Sequence, residues 1–283
     1  WLLAQAGLDT PEGPLTVAHH LQTENLIAKR GSDGWRASGT LRAVPWGRHA
    51  GHVVALVEVD EKPHLALLPV AESVLEPDAN IAREPRDTLT FDGAPVAVAD
   101  PLAIAGDSIF IYGAMARSAQ MAGACQKALD EAVQYALDRT QFGRPIAKFQ
   151  AIQQQLATLA AKTAQANIAA AAAFRAADRH TPTFEAACAK VVAGEAAGLA
   201  TTVAHQVHGA IGFTYEHTLH FTTRRLWSWR PEFGSETQWS HDRRTGGGRA
   251  LARPDRAPVR ARCLRHPNPR VNHIRRKKDS GPV

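Results

Sequence analysis

The sequence has few of the residues that cross-link a protein or anchor it in a membrane. Its three cysteines, Cys125, Cys188 and Cys263, are odd in number and far apart, so they fit neither a disulfide framework nor a zinc ribbon. No apolar run reaches the roughly 18 uninterrupted residues of a membrane span, and the chain does not open with the pattern of a secretory signal. We therefore expect a cytoplasmic protein without a membrane segment.

Positive charge is unevenly distributed along the chain. Residues 240–283 contain eleven Arg and two Lys against three Asp, a net charge of +10, so the formal +6 of the whole chain leaves residues 1–239 at −4. This tail has no hydrophobic period and lacks the interleaved aromatic residues typical of nucleic-acid-binding segments. We predict a disordered or aberrant tail, such as the product of a change of reading frame, and binding to nucleic acid is the less favoured alternative.

Short apolar runs alternate with turn residues over residues 15–101. Residues 53–59 (VVALVEV) and 64–70 (HLALLPV) are typical of strands, and turn-forming residues separate them. The pair Asp92-Gly93 is typical of a tight hairpin turn between the short apolar runs on either side of it. The pattern therefore predicts an antiparallel β domain.

After this region the spacing of apolar residues changes to three and four, which is typical of helices. The first apolar stripe predicts a helix that ends near Arg139, and an alanine-rich stretch predicts a second helix over residues 149–177. Thr181-Pro182 predicts the start of a third helix, and a fourth is expected over residues 216–229. Four helices after a β domain predict a helical bundle.

Two segments between these helices contain residues suited to a ligand. Residues 139–150 (RTQFGRPIAKFQ) combine guanidinium groups, which bind phosphate, with an aromatic ring, which stacks on a planar base. Residues 206–216 (QVHGAIGFTYE) contain glycines that let the backbone approach a ligand closely. The structural alternative is that the first segment is a plain connection between helices, with Phe142 and Phe149 packed inward.

In their order and separation, the two segments resemble the acyl-CoA dehydrogenase family. That family has an R-x-x-F-G-x-x-I-x-x-x-Q segment and a later Q-x-x-G-G-x-G-(F/Y) segment on either side of two central bundle helices, matched here by residues 139–150 and 206–213. The resemblance extends over roughly residues 15–234. The form of residues 208–220 is similar to a bacterial branch associated with steroid or aromatic side-chain acyl-CoA thioesters.

The resemblance implies an α+β fold with three parts: an amino-terminal helical domain, a central antiparallel β domain and a carboxy-terminal four-helix bundle, with FAD between the last two. We expect the amino-terminal helical domain to be largely missing from this chain. The expected division is a remnant of that domain at residues 1–14, the β domain at 15–101, the bundle at 102–239 and the basic tail at 240–283.

The resemblance also assigns cofactor-binding residues. Those implied for FAD are Arg139, Phe142, Gln150, Gln206, Gly209 and Trp46. The first two are expected to contact the pyrophosphate and adenine of an FAD in a neighbouring subunit, and Gln206 and Gly209 are expected to approach the same dinucleotide. Trp46 lies where the family has a flavin-contacting strand end.

Two departures from the family pattern concern the same cofactor. Ala210 stands where the family usually has a second glycine, and its Cβ is expected to crowd the approach of the backbone. The T-E-P-x-x-G-S-D loop, which meets flavin and thioester in the family, is replaced here by residues 15–19 (LTVAH). Both departures predict reduced affinity for flavin.

The reaction implied is α,β-dehydrogenation of an acyl-CoA thioester, in which a carboxylate removes the α-proton and the β-hydrogen leaves as hydride. Glu232 is the predicted base because the family carries its base in a Y-E-G-T turn, although counting from Gly212 places Phe233 at that position. The second family position, near Gly113, holds no carboxylate. Glu216 is another candidate, and a chain without a functional base is the remaining possibility.

Two functions therefore stay open. The first is an FAD-dependent acyl-CoA dehydrogenase, an oxidoreductase acting on CH–CH groups, with an electron-transfer flavoprotein as the expected electron acceptor. The second is a non-catalytic structural subunit of a heteromeric acyl-CoA dehydrogenase. Both imply a homo- or hetero-oligomer, because Arg139 and Phe142 are expected to serve a neighbour's flavin.

Several other polar residues are expected to be structural. The pairs His205–His208 and His217–His220 have a spacing compatible with metal ligands, but no H-E-x-x-H pattern accompanies them, so no metal site is predicted. Glu195 is expected on an exposed helix face, and a buried functional acid is the alternative.

Overall fold

The computed structural model describes residues 1–19, 23–100 and 107–240. Within them, a β domain precedes a helical bundle, which confirms the predicted α+β fold. The strands are β1 (Leu15–Val17), β2 (Thr23–Gly31), β3 (Gly34–Pro45), β4 (His52–Val59), β5 (Lys62–Pro69), β6 (Ser73–Glu76), β7 (Arg86–Val98), β8 (Thr140–Gln141) and β9 (Arg144–Pro145). The helices are α1 (Leu2–Gln5), α2 (Ser108–Asp138), α3 (Gln150–Ala177), α4 (Thr183–His208), α5 (Leu219–Trp229) and α6 (Glu236–Ser240). The predictions for the basic tail fall on residues 241–283, which lie outside the described residues.

The first seven strands form one sheet in the order β1-β4-β2-β3-β7-β5, and β6 pairs with β7. Strand β4 also pairs with β5, which closes the sheet on itself. The five strands β4, β2, β3, β7 and β5 thus enclose an apolar core. Most pairs are antiparallel, as predicted, but β1 runs parallel to β4. The largest fully buried side chains of this core are Leu41, Leu68, Leu89 and Phe91.

Strands β4 and β5 form the hairpin that the two Val- and Leu-rich runs predict. The register pairs Val59 with Lys62, which leaves only Asp60 and Glu61 in the turn. Both turn residues have positive φ angles, 49° and 62°, as in the two-residue turns that match the right-handed twist of paired strands. The hydrophobic pattern therefore located this hairpin correctly.

The hairpin predicted at Asp92-Gly93 is wrong, because both residues lie inside the continuous strand β7. The pairing of β7 with β3 shifts by one residue between Ala37 and Gly39, opposite this point. Gly93, with φ +67°, belongs to a β-bulge that bends the strand without reversing it. Pairing with β3 on both sides of the bulge therefore overrides the local turn signal.

The bundle helices agree with the predicted series, with shifts at their ends. Helix α2 ends at Asp138, beside the predicted Arg139, and α3 begins at Gln150. Helix α4 begins at Thr183 with Pro182 as its N-cap residue, slightly later than predicted. Helix α5 begins only at Leu219, because residues 214–218, which follow the 3-10 turn Gly209–Phe213, form turns and bends.

Small side chains bring α2, α3 and α4 close together. The buried alanines at their interfaces include Ala128, Ala132, Ala136, Ala166, Ala170, Ala193, Ala196, Ala197, Ala200 and Ala204. Helix α4 is the central element, because it packs against α2, α3, α5 and α6. By length and composition alone the stretch Thr183–Phe213 is apolar enough to cross a bilayer, but 72% of its most apolar window is buried inside the protein. Its apolar character is that of a core helix.

We predict that Gly39 cannot be replaced without loss of stability. Its φ is +139°, and an added Cβ would lie 2.5 Å from both Asn25 O and Leu26 Cα. Gly39→Ala should therefore lower the free energy of unfolding by about 3 kcal/mol, through strain and overpacking together. Urea denaturation followed by circular dichroism measures the change.

The matched control is Gly123→Ala in α2, where an added Cβ meets no atom within 4 Å. Because alanine favours helix over glycine, this variant should gain about 0.5–1 kcal/mol. Equal effects of the two substitutions would contradict the close approach of β2 and β3.

Candidate functional site

The two motif segments lie at the same end of the bundle. The ring of Tyr135, in the last turn of α2, stacks on the ring of His208, in the last turn of α4, with centroids 4.5 Å apart. The same tyrosine meets His217 edge-on at 6.4 Å. Because α2 leads into residues 139–150 and α4 into Gly209–Phe213, this contact brings the two segments together.

Residues 139–150 form a small exposed hairpin. Strands β8 and β9 pair Thr140 with Pro145 and Gln141 with Arg144. The turn consists of Phe142 (φ 53°) and Gly143 (φ 77°), so its backbone requires the glycine. The Phe142 side chain is 91% exposed, which contradicts the alternative that it packs inward.

Cationic and aromatic groups lie side by side on this hairpin. The Arg144 guanidinium lies 4.3 Å from the centre of the Phe149 ring, and Phe142 meets the same ring edge-on at 6.1 Å. Arg139, at the base of the hairpin, and Gln150, the first residue of α3, are exposed. The hairpin thus presents two guanidinium groups and a free aromatic face to the outside.

In the second motif segment, residues 206–216, the exposed group is the backbone around Gly209. Gln206 and Gly209 are both exposed, at the end of α4 and in the turn that follows it. Gly209 has φ +62°, and an added Cβ would meet no atom within 4 Å, so the space around this glycine is open. Ala210 is exposed as well, and its predicted effect on flavin affinity stays a prediction.

The histidines at this end of the bundle pack against one another. His208 Nδ1 lies 2.7 Å from Ala204 O, and His205 Nε2 lies 3.0 Å from Thr223 Oγ1. Burial, together with neighbouring histidines, lowers the pKa of both His205 and His208. Among residues 1–19, 23–100 and 107–240, no three His, Cys, Asp or Glu groups are arranged to hold a metal ion.

Trp46 and Glu232 lie in a second region, next to the sheet. Trp46 follows β3 with φ 57°, and its backbone N–H donates to Pro85 O at 3.0 Å. The 3-10 turn after it is anchored by Arg48, whose Nε and Nη2 donate to the buried carboxylate of Asp87 at 3.0 and 2.5 Å. The indole is half-exposed and therefore available to a ligand.

Arg86, the residue after Pro85, connects Trp46 with Glu232. Its Nε and Nη2 lie 2.8 and 2.7 Å from Glu232 Oε1. The other carboxylate oxygen, Oε2, forms an ion pair of 2.6 Å with Nη2 of Arg117, on α2. Glu232 is thus held between the sheet and the bundle, and both of its oxygens face a guanidinium group.

Glu84 completes this group on the sheet side. Its carboxylate accepts hydrogen bonds from Trp229 Nε1 at 2.8 Å and from Arg86 Nη2 at 3.1 Å, and from two further donors, Asn80 and Arg225. Burial alone would raise the pKa of Glu84, but these hydrogen bonds and the charge of Arg86 outweigh it and lower the pKa. We refer to Glu84, Arg86, Arg117 and Glu232 as the arginine–glutamate cluster.

Three members of this cluster were not identified from the sequence. Burial, opposed mainly by Glu232, lowers the pKa of Arg117 from its ordinary value. The available signal for Arg117 was a single arginine within an apolar stretch of α2. The sequence held no corresponding signal for Glu84 and Arg86, because the residues that tie them to the bundle, Trp229 and Glu232, lie more than 140 residues away.

Phe233 occupies the space next to Gly113. An added Cβ at Gly113 would lie 2.2 Å from the Phe233 ring, so the ring packs directly on the backbone of α2. The same ring contacts that of His19, with centroids 5.2 Å apart. The two positions at which the resemblance places a base therefore face each other, and they hold a glycine and an aromatic residue.

The other candidate acids lie elsewhere. Glu216 is exposed in the turn before α5, close to the histidines. Glu195 is half-buried, and its carboxylate lies 3.5 Å from Lys162 Nζ, so it takes part in contacts between α3 and α4. Neither lies beside Trp46 or Phe233.

The candidate residues thus form two regions. Arg117 lies in one region and Tyr135 in the other, and both belong to α2. Their separation of 18 residues along this helix corresponds to about 27 Å. The structure therefore brings together Arg139, Phe142, Gln206 and Gly209 at one end, and Trp46 and Glu232 at the other. That any of them contacts FAD or substrate stays a prediction.

Comparison with known proteins identifies relatives of the chain. The family described as "Acyl-CoA dehydrogenase, C-terminal domain" matches residues 105–237. Acyl-CoA dehydrogenase FadE34 from Mycobacterium tuberculosis is 34% identical over 207 residues, which are 72% of this chain and 28% of that protein. Acyl-CoA dehydrogenase IpdE2 from the same organism is 40% identical over 109 residues, which are 38% of this chain and 33% of that protein. The matched part thus spans a third or less of these curated relatives.

Solved structures share the fold over most of the chain. The Tcur3481-Tcur3483 steroid ACAD variant has a TM-score of 0.73 and 26% identity, covering 80% of this chain and 65% of that chain. The ChsE4-ChsE5 complex from Mycobacterium tuberculosis has a TM-score of 0.72 and 23% identity, covering 82% and 65%. Butyryl-CoA dehydrogenase from Megasphaera elsdenii has a TM-score of 0.71 and 22% identity, covering 82% and 67%. The last two likenesses show the fold alone.

We predict that Glu84→Gln lowers the free energy of unfolding by about 3 kcal/mol at pH 7, because it removes one partner of a buried ion pair. The pKa of Glu84 is lowered in the folded protein, so its contribution is present above the ordinary pKa of about 4.3 and disappears as the pH falls through the folded value. The difference between wild type and variant should therefore shrink on acidification, as measured by urea denaturation from pH 7 to pH 3.5.

The control is Glu24→Gln, which removes the partner of Arg42 from an exposed ion pair on the sheet. This variant should be indistinguishable from wild type. An effect of Glu84→Gln as small as that of the control would contradict the buried cluster.

Proposed function

Because the chain belongs to the acyl-CoA dehydrogenase family, we propose that it takes part in FAD-dependent α,β-dehydrogenation of an acyl-CoA thioester as one subunit of an oligomer. The observation that supports this most is the outward-facing hairpin with Arg139 and Phe142. It lies about 27 Å from the Trp46 region along α2, so a flavin beside the sheet of the same chain is too far away to be its ligand. A neighbouring subunit's flavin is the ligand that the geometry favours.

The residues of the hairpin fit this cofactor. Arg139 and Arg144 offer paired N–H donors for a pyrophosphate, and the exposed Phe142 ring offers a face for adenine. Gly209 supplies open backbone at the same end of the bundle. When bound, the flavin supplies the acceptor for the hydride that leaves the β-carbon. The role of this chain at that end is to bind and orient the dinucleotide.

The Trp46 region fits a second role, next to the chain's own sheet. The half-exposed indole of Trp46 offers a flat apolar surface, and the ion pair between the exposed Arg48 and the buried Asp87 fixes the turn that presents it. His19, which ends the segment replacing the family's flavin and thioester loop, lies against Phe233. These groups would exclude water from a bound thioester.

The structure supports Glu232 as the catalytic base less strongly than it supports the hairpin as a flavin-binding element. Both carboxylate oxygens of Glu232 are engaged by guanidinium groups, those of Arg86 and Arg117, and are therefore less available to a substrate. We retain Glu232 as the candidate base of a catalytic chain, since it is the carboxylate nearest to Phe233 in sequence.

A specific observation favours the second function, a non-catalytic subunit that completes a partner's flavin site. The Phe233 ring fills the space against Gly113, so neither position implied for a base holds a carboxylate. In this arrangement the base belongs to the partner subunit. The heteromeric ChsE4-ChsE5 complex shares this fold, which is compatible with such an assembly.

The thioester is proposed only as a class. The similarity to a steroid ACAD structure, at 26% identity, favours a steroid side-chain acyl-CoA over a short-chain one. An electron-transfer flavoprotein is the proposed acceptor of the electrons.

We predict that Arg139→Ala and Phe142→Ala together lower the flavin content of the purified oligomer at least tenfold. Because both side chains are exposed, the free energy of unfolding should change by no more than about 0.5 kcal/mol. The flavin-to-protein absorbance ratio and urea denaturation measure the two effects. Arg175→Ala, at an exposed position on α3, is the control and should retain flavin. Unchanged flavin content in the double variant would refute the role of the hairpin.

The base assignment is tested by anaerobic bleaching of the flavin with a panel of steroid, aromatic and short-chain acyl-CoA thioesters. If Phe233 replaces the base, wild type does not bleach, and Phe233→Glu gains bleaching. Glu232→Gln should mainly destabilise the protein, by about 3 kcal/mol, because it breaks the arginine–glutamate cluster. Bleaching by wild type that Glu232→Gln abolishes, with flavin and stability retained, would instead identify Glu232 as the base.

A further inference from the structure

A fully buried lysine lies under the segment that contains Glu232 and Phe233. Lys190, on α4, has no exposed surface. Its Nζ donates to Arg230 O and to Gly234 O, each at 2.6 Å. A charged amine inside the bundle is costly unless its protons are used, and here two of them hold carbonyl groups on either side of Glu232 and Phe233.

The face of α4 that carries Lys190 is shaped for the same segment, residues 230–236. Gly194, one turn further along, leaves room for the Glu236 side chain, since an added Cβ would lie 2.2 Å from Glu236 Oε1. Gly198, two turns further along, lies under Arg230, and an added Cβ would be 3.3 Å from its Nη1. Arg230 Nε and Glu236 Oε1 are 2.7 Å apart, so an ion pair spans the segment over these glycines.

The backbone of the segment is strained at Phe233, next to the glycine whose carbonyl Lys190 holds. Phe233 has φ 52° and Gly234 has φ 90°, and the carbonyl of this glycine is one of the two acceptors. A left-handed phenylalanine is unfavourable unless its surroundings fix it. The hydrogen bonds from the ammonium supply that restraint.

From this geometry we propose that Lys190 is a positioning residue, whose ammonium form fixes residues 230–236 and thereby the placement of the Glu232 carboxylate and the Phe233 ring. The proposal does not depend on which of these two residues matters for function. It extends the site from the sheet and α2 to the core helix α4.

The charged groups around Lys190 determine how it titrates. Burial lowers the pKa of Lys190 to about 8, with Arg117 and Arg230 acting in the same direction and Glu236 and Glu232 opposing them. An ammonium with this pKa is mostly charged at pH 7, and the charged fraction falls to about a tenth at pH 9. The fixed arrangement of residues 230–236 should therefore be lost between pH 7 and pH 9.

The indole N–H of Trp239 is a direct reporter, because it donates to Phe233 O at 2.8 Å. Its resonance in a ¹H–¹⁵N spectrum of ¹⁵N-labelled protein, assigned with Trp239→Phe, should move with a midpoint near pH 8. The indole N–H of Trp229, which donates to Glu84, is the internal control and should stay in place. The test needs neither flavin nor acyl-CoA, so its result is independent of the proposed function.

Lys190→Met removes the ammonium at every pH. Its Trp239 resonance should already lie at the high-pH position at pH 6.5 and show no transition. Lys162→Met, which removes a partly exposed lysine paired with Glu195, should behave as wild type. A Trp239 resonance at the wild-type position in Lys190→Met, or a wild-type profile that is flat from pH 6.5 to 9.5, would overturn the proposal. If Lys190→Met does not fold, the ¹³Cε resonances of the lysines in wild type are titrated instead. One lysine should then titrate near pH 8, together with the Trp239 transition, and the absence of such a lysine would equally overturn the proposal.

Discussion

Two buried arginines, the buried Glu84 and the partly buried Glu232 join the sheet to the bundle, and the placement of the candidate catalytic groups depends on them. Arg86 comes from β7, Arg117 from α2, and Glu232 from the segment after α5, so one group of charges links three parts of the chain. Three of these charges are buried and Glu232 is partly buried, so they must keep their partners, because an unpaired buried charge is far more costly than a surface one. This requirement fixes the start of β7 next to the bundle, and with it Trp46 and Phe233.

The two ends of the bundle consequently have different roles. At the sheet end, charges and rings point inward: Glu232 is held by guanidinium groups, and Phe233 packs on Gly113. At the far end, Phe142 points outward, and its turn is kept in shape by the left-handed Gly143. One chain therefore has an inward-facing site and an outward-facing site. This combination suits an oligomer in which each subunit completes the flavin site of its neighbour. The two faces therefore support the proposal that the chain acts within an assembly.

The sequence was sufficient where structure depends on local pattern. Alternating apolar residues predicted β4 and β5, and three- and four-residue spacing predicted the long helices. The hairpin prediction at Asp92-Gly93 was wrong because β7 pairs with β3 on both sides of these residues, and this pairing outweighs their local turn preference. The arginine–glutamate cluster was missed for a related reason: Glu84 and Trp229 are 145 residues apart, and no local pattern links a carboxylate with a donor at that distance. The motif segments were found because their glycines and arginines are adjacent in sequence, and Lys190 was missed because a lone lysine on an apolar helix shows no partner.

Arg86 and Glu232 should be energetically coupled across the two parts of the molecule, and a double-mutant cycle measures this coupling directly. The free energy of unfolding would be determined by urea denaturation for wild type, Arg86→Met, Glu232→Gln and the double variant. We expect the effects of the single changes to add up to more than the effect of the double variant, with a coupling energy of about 2 kcal/mol or more. Additive effects, within about 0.5 kcal/mol, would contradict it and would leave the Glu232 carboxylate free for another role.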